Sequence, residues 1–168
     1  QSRSSAASDV YKRQMLNILS PNASTTYQNK ISKSIPSRMK VCTEVAKEAI
    51  NQNVDPILAV SIAYHESRFS SPTSEKGAKG PLGVIPQYHC PSYGKCDFTK
   101  AGITALKKWI KVNKGKSLCK ILAQYNRGFD GICKNGRSEY FYAQRVLDTY
   151  FELKYYNQEA CFSDYHAD

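Results

Sequence analysis

Glu66 closes an apolar run, Pro56-Ile57-Leu58-Ala59-Val60-Ser61-Ile62-Ala63-Tyr64-His65, and Ser67, Arg68 and Phe69 follow it. A carboxyl at the end of a buried helix is a candidate general acid. Burial disfavours the charged form and raises the pKa. A raised pKa keeps the proton in place near neutrality, ready for a leaving group. The plainer alternative makes Glu66 the first polar residue past a core helix. Farther on, Tyr125 and Asn126 stand before Gly128 at a helix end. There they offer a ring face and an amide to a sugar, or else pack and cap the helix. Gly77 and Gly80 permit turns and close backbone approach to a ligand, or are ordinary turn glycines. His89, Cys90 and Cys96 suggest zinc at first sight, but their spacing lacks a Cys-x2-Cys pattern.

The elements that must hold these residues are helical. A first helix is expected from near Ser37 to Asn53, where Val41, Val45 and Ala49 recur at the helical interval. Asp55-Pro56 then restarts the chain, with Asp as N-cap and Pro at the first helical position. The second helix is apolar on all sides and is expected to be central. Residues 70–99 hold four of the nine glycines and four of the seven prolines. That composition predicts a long loop, with room for a small hairpin, and a loop of that length is functional more often than idle. Helices are expected from Thr99 to Asn113, Ser117 to Tyr125 and Ser138 to Tyr156. The last places Tyr142, Val146, Thr149 and Leu153 on one stripe, facing the core. Little strand signal exists, so the fold class is mainly α. Residues 1–36 read as a poorly structured leader and 37–168 as the domain. Residues 1–14 match nothing downstream and read as a foreign scar, with Met15 a candidate start.

Lys and Arg outnumber Asp and Glu by 24 to 14, a net charge of +10. Such an excess draws polyanions. Lys100, Lys107, Lys108, Lys111, Lys114, Lys116 and Lys120 fall in a stretch free of acids. Lys100, Lys107, Lys111 and Lys114 share one helix face, and Ile103, Leu106 and Ile110 another. A solvated face is the plainer account of the lysines. A nucleic-acid binder would need a groove-reading helix or a stacking platform with base contacts, and the sequence displays no recognised module. No stretch approaches the ~20 apolar residues that cross a bilayer, and no secretory signal is visible after Met15.

Six cysteines, Cys42, Cys90, Cys96, Cys119, Cys133 and Cys161, suggest disulfides in an oxidising compartment. Sequence alone leaves about 15 pairings open. The pairing expected is Cys90–Cys96 and Cys119–Cys133 around local loops, with Cys42–Cys161 tying the ends of the domain. The compartment is then periplasmic, extracellular or phage-delivered.

Four stretches together resemble the lytic transglycosylase and goose-type lysozyme superfamily. Glu66-Ser67-Arg68-Phe69 is similar to its Glu-Ser-x-Phe. Ser74-Glu75-Lys76-Gly77-Ala78-Lys79-Gly80, followed by Pro81-Leu82-Gly83-Val84-Ile85-Pro86, is similar to its Gly-Ala-x-Gly-Leu-Met-Gln-x-x-Pro loop. Gln124-Tyr125-Asn126-Arg127-Gly128 is similar to its Ala-Tyr-Asn-x-Gly, and Tyr142-Ala143-Gln144-Arg145-Val146-Leu147 to its Tyr-Val-x-x-Val-Leu. With the preceding helix, the likeness covers residues 38–157. It implies a lysozyme-like helical domain that cleaves peptidoglycan. Catalysis would fall to Glu66, with the Tyr142 hydroxyl reaching it, and substrate binding to Ser67, Gly77, Ala78, Gly80, Tyr125 and Asn126. Two departures stand out: Gly83 replaces the family's Gln, for which Gln87 is a candidate substitute, and Gln124 replaces its Ala.

The resemblance implies a single-acid lytic transglycosylase acting on the MurNAc–GlcNAc bond and leaving 1,6-anhydro ends, with no metal or cofactor. The partners would be glycan strands and anionic wall polymers, met by a monomer. Goose-type hydrolysis is the alternative if Glu75 or Asp97 positions a water. A non-catalytic wall-binding or phage structural module on the same scaffold is the other.

Overall fold

A computed structural model describes residues 33–91, 95–128, 133–134, 137–138, 141–155 and 161. The leader expected over residues 1–36 lies outside the described residues up to residue 32. Helix α1 spans Ile35–Asn51, with proline in its first turn. It starts two residues earlier than the periodicity suggested, because Ile35 is fully buried and anchors the first turn.

Helix α2 spans Pro56–Ser67. The Asp55 side chain accepts a hydrogen bond from the Ile57 amide at 2.9 Å, satisfying one of the amides that a helix start leaves unpaired. Six consecutive residues, Leu58 to Ala63, are buried. Only a helix enclosed by neighbours buries such a run, and α2 packs against both α1 and the last helix, α6 (Phe141–Tyr155). Burial of Leu58 or Ile62 contributes roughly 1.5–3 kcal/mol each.

Beyond α2 the chain turns through left-handed backbone at Arg68 (φ 53°) and Phe69 (φ 58°). That region costs a bulky residue free energy. Two contacts offset it: Phe69 is 2% exposed, and the Arg38 guanidinium donates to the Arg68 carbonyl. The helix bearing Glu66 is therefore stopped abruptly.

The Gly/Pro-rich segment that follows carries isolated antiparallel bridges, Thr73 with Lys79 and Lys79 with Val84, and then a single turn, α3 (Pro86–His89). The antiparallel ladder of the described residues lies elsewhere, β1 (Cys133–Lys134) against β2 (Arg137–Ser138). Helix α4 spans Phe98–Val112 and α5 Leu118–Arg127. Ile103 and Leu106 of α4 are buried, whereas Lys100, Lys107, Lys108 and Lys111 are exposed. Lys114 falls beyond the helix, which Asn113 caps. Helix α4 packs on α1 and α5, and α5 on α6, so the described residues form a mainly helical fold around α2.

Three disulfides close the chain: Cys42–Cys161, Cys90–Cys96 and Cys119–Cys133, with Cα atoms 5.7, 5.7 and 6.1 Å apart. All are ordinary spans for the bond, and the set is compatible with an oxidising compartment. With Cys90 and Cys96 bonded to each other, neither offers a thiolate to zinc. No helix of the described residues is long and apolar enough to cross a membrane.

Candidate active site

Glu66 stands in the last turn of α2, half-buried, where the apolar helix meets an open cleft of about 370 Å³. The Tyr142 hydroxyl, from the first turn of α6, donates to Glu66 Oε1 at 2.6 Å. The Asn126 side chain, at the end of α5, hydrogen-bonds the same carboxyl. Three helices thus converge on one acid. Burial pushes the Glu66 pKa up from 4.5, and the hydrogen bonds from Tyr142 and Asn126 pull it back in part. The carboxyl also sits at the negative end of the α2 dipole, which disfavours the anion. Together these favour a protonated Glu66 facing the cleft.

Gly83 sits against this carboxyl. Its φ is +65°, and a Cβ there would lie 2.6 Å from Glu66 Oε2. The turn from Gly80 to Gly83 (Gly83 N–H to Gly80 C=O, 3.3 Å) presses backbone against the acid, and any side chain would displace one or the other. What the sequence presents as a lost amide is, in the structure, a space the carboxyl requires.

Tyr125 is turned inward, its hydroxyl donating to the Leu82 carbonyl at 2.8 Å. Burial raises its pKa, and the nearby Glu66 charge adds to the rise. It pins the glycine-rich loop to α5 and is among the residues that line the cleft. The loop is held from its other side by Gly80, where a Cβ would meet Phe98 Cβ at 2.5 Å. Gly80 therefore serves packing against α4, whereas the sequence suggested approach to a ligand.

Among the other expected binding residues, Ala78 and Asn126 line the cleft. Gly77 closes a turn onto Ser74 (N–H to C=O, 2.9 Å) with open space around it. The Ser67 hydroxyl is taken by backbone, donating to Ala63 C=O at 3.1 Å and accepting from the Ser70 amide at 3.2 Å. It finishes α2 and does not line the cleft. Gln87 is exposed on α3 and is not among the residues that line it. Gln124, the second departure from the family pattern, accepts from the buried Asn113 amide and so ties α5 to the cap of α4.

Sequence reasoning gave no cleft role to Ser74, Lys76, His89 or Arg127, which line it too. Ser74, Lys76 and Arg127 lie within quoted motif stretches, and that was their one available signal. Asp97, a candidate second carboxyl, caps α4 by accepting from the Lys100 amide at 3.0 Å. Glu75 is exposed in the turn after Ser74. Neither lines the cleft, and Glu66 is its one carboxyl among the described residues.

Beside Glu66, His65 faces away to α6, its Nε2 2.7 Å from Thr149 Oγ1. Burial, then the charges of Arg68 and Arg145, lower its pKa from 6.5 to about 4. It is neutral at physiological pH and belongs to the packing of α2 on α6. No protein-family model, no curated protein and no solved structure matches the chain.

Proposed function

We propose that the protein is a peptidoglycan lytic transglycosylase with Glu66 as its single acid–base group. One observation carries this: a carboxyl whose protonated form is favoured by burial, hydrogen-bonded by Tyr142 at 2.6 Å and open to a cleft without a second carboxyl among the described residues. Ordinary glycoside hydrolysis employs two carboxyls, one of them for water or for a covalent intermediate. A lone acid suits a reaction in which the substrate supplies its own nucleophile.

Glu66 gives its proton to the glycosidic oxygen between N-acetylmuramic acid and N-acetylglucosamine, and the C1–O bond breaks. The substrate's N-acetyl oxygen steadies the developing positive charge at C1, as in substrate-assisted enzymes. The C6 hydroxyl of the same sugar then closes onto C1 and yields its proton to the Glu66 carboxylate. The acid is restored, a 1,6-anhydro end forms, and no water is consumed. Tyr142 and Asn126 aim the carboxyl and stabilise its charged form after proton donation.

The test is Glu66→Gln on purified peptidoglycan. Loss of a general acid costs about 100- to 10,000-fold, so clearing of a wall suspension should stop while the far-UV spectrum stays native. Full activity in that variant refutes the assignment. Mass analysis of the wild-type products separates the chemistries: anhydro ends for transglycosylation, reducing ends for hydrolysis, and no release for a binding module.

A further inference from the structure

Leu82 is fully buried where the glycine-rich loop meets α4 and α5. On the α5 side its carbonyl accepts the Tyr125 hydroxyl at 2.8 Å. On the α4 side its side chain fills the space that Gly102 leaves, where a Cβ would lie 2.6 Å from Leu82 Cβ and 2.7 Å from Cδ1. Glycine inside a helix weakens it relative to alanine, and here it gives Leu82 a seat. The next residue is Gly83, whose backbone presses on Glu66 Oε2. Lys79 and Val84, bonded both ways at 2.7 and 2.9 Å, keep the shape of the intervening turn. Tyr125 and Gly102 therefore set how close that turn stands to the acid. Because backbone makes the contact, no side-chain rotation absorbs a displacement of Leu82.

A phenol has one proton to donate, and the Leu82 carbonyl takes that of Tyr125 in an enclosed position. We infer that Tyr125 is a positioning residue for Glu66, acting through Leu82 and Gly83, and that its hydroxyl is not a sugar-binding donor. The role rests on the function proposed above, in which Glu66 is the acid. The titratable and charged groups that share the cleft with Glu66 are Tyr142 of α6, Tyr125 and Arg127 of α5, Lys76 of the loop and His89 of α3. None of these but Tyr125 reaches the loop backbone at Leu82.

Tyr125→Phe keeps the ring and removes the hydroxyl. With Leu82 released, Gly83 draws back and water reaches Glu66. Burial is the main reason its pKa stands above 4.5, so the pKa should fall toward that value and the alkaline limb of kcat/KM move to lower pH. On purified peptidoglycan kcat should drop roughly fivefold with KM little changed, about the worth of one neutral hydrogen bond. Loss of a sugar donor would instead raise KM and leave the limb in place, which overturns the inference. Tyr150→Phe removes a phenol hydroxyl at the other end of α2 and should leave the limb where it is. An equal shift in both variants would mean that general loosening is at work, and that too overturns it.

Carbon NMR of carboxyl-labelled glutamate, with Glu66 assigned by the signal missing from Glu66→Gln, reads the titration without substrate. Gly102→Ala crowds Leu82 from the other side, leaves Tyr125 in place and should move the Glu66 titration as well. A wild-type titration in either folded variant overturns the positioning role, even if the wild type releases anhydro ends. A shifted titration in both, alongside a wild type that releases nothing, would sink the proposed reaction and leave the positioning role standing.

Discussion

The two ends of α2 pose the same problem and solve it in opposite ways. Each carries a carboxyl bonded to a tyrosine hydroxyl of α6: Asp55 Oδ2 to Tyr150 at 2.7 Å, Glu66 Oε1 to Tyr142 at 2.6 Å. At the start of the helix, Asp55 also takes the Ile57 amide and lies 3.4 Å from the Lys154 ammonium. The positive end of the helix dipole is there as well. At the far end the dipole is reversed, burial works against charge, and the partners are a phenol and an amide. The contacts of Asp55 hold the fold together, whereas those of Glu66 leave its protonated form favoured at the cleft. Placement along one helix, more than residue type, divides structure from chemistry.

Exchanging or deleting partners at each end tests that division. The largest effect after loss of Glu66 itself is expected from Tyr142→Phe. Its hydroxyl favours the charged form, so removal raises the Glu66 pKa further. Activity needs the protonated acid and falls as pH rises through that pKa. In Tyr142→Phe this alkaline limb of kcat/KM should move to higher pH, with a loss of about tenfold at its plateau, in line with a hydrogen bond to a charged group. A limb that stays in place would remove Tyr142 from the mechanism.

At the other end, Asp55→Ala should cost about 1–2 kcal/mol of stability through the lost cap, and Tyr150→Phe about 1 kcal/mol. Urea midpoints measure both. Neither should shift the pH profile, and a shift in either would blur the two roles.

The smallest effect is a slope. Because the native Glu66 pKa lies above 4.5, the folded protein keeps a proton that the unfolded chain releases. That favours the folded state below pH 4.5 and is lost as pH climbs through the native pKa. Glu66→Gln lacks this dependence, so its stability relative to wild type should rise across the interval and then level off. A constant difference would mean the acid is not perturbed.

Much of this was legible before any coordinates. Asp55-Pro56 announced the start of α2, because capping is local chemistry among adjacent residues. The unbroken apolar run announced that its helix would be enclosed. The three cysteine pairings, which sequence alone left open among many, agree with the arrangement expected. Contacts across distant segments were not legible. Nothing in the spacing shows that Gly83 must make room for Glu66 Oε2, or that Gly80 must make room for Phe98. Ser67 follows the acid in sequence yet bonds backward into its own helix, since side chains at adjacent helical positions face different ways. The early start of α1 was hidden because Ser, Thr, Asn and Pro around Ile35 read as a loose tail, and burial of one side chain outweighed them. Lys76 and Arg127 gave no periodic signal, as one is in a turn and the other at a helix terminus.

The bridge between Cys42 and Cys161 spans a sequence separation of 119 and encloses the other two bridges. Topologically the domain is a closed ring. A protease that nicks any one peptide bond inside it opens the ring without dividing the molecule, and both pieces stay tethered in register. A first cut inside the ring would thus leave the molecule whole, and the same cut after treatment with a thiol would set two fragments free.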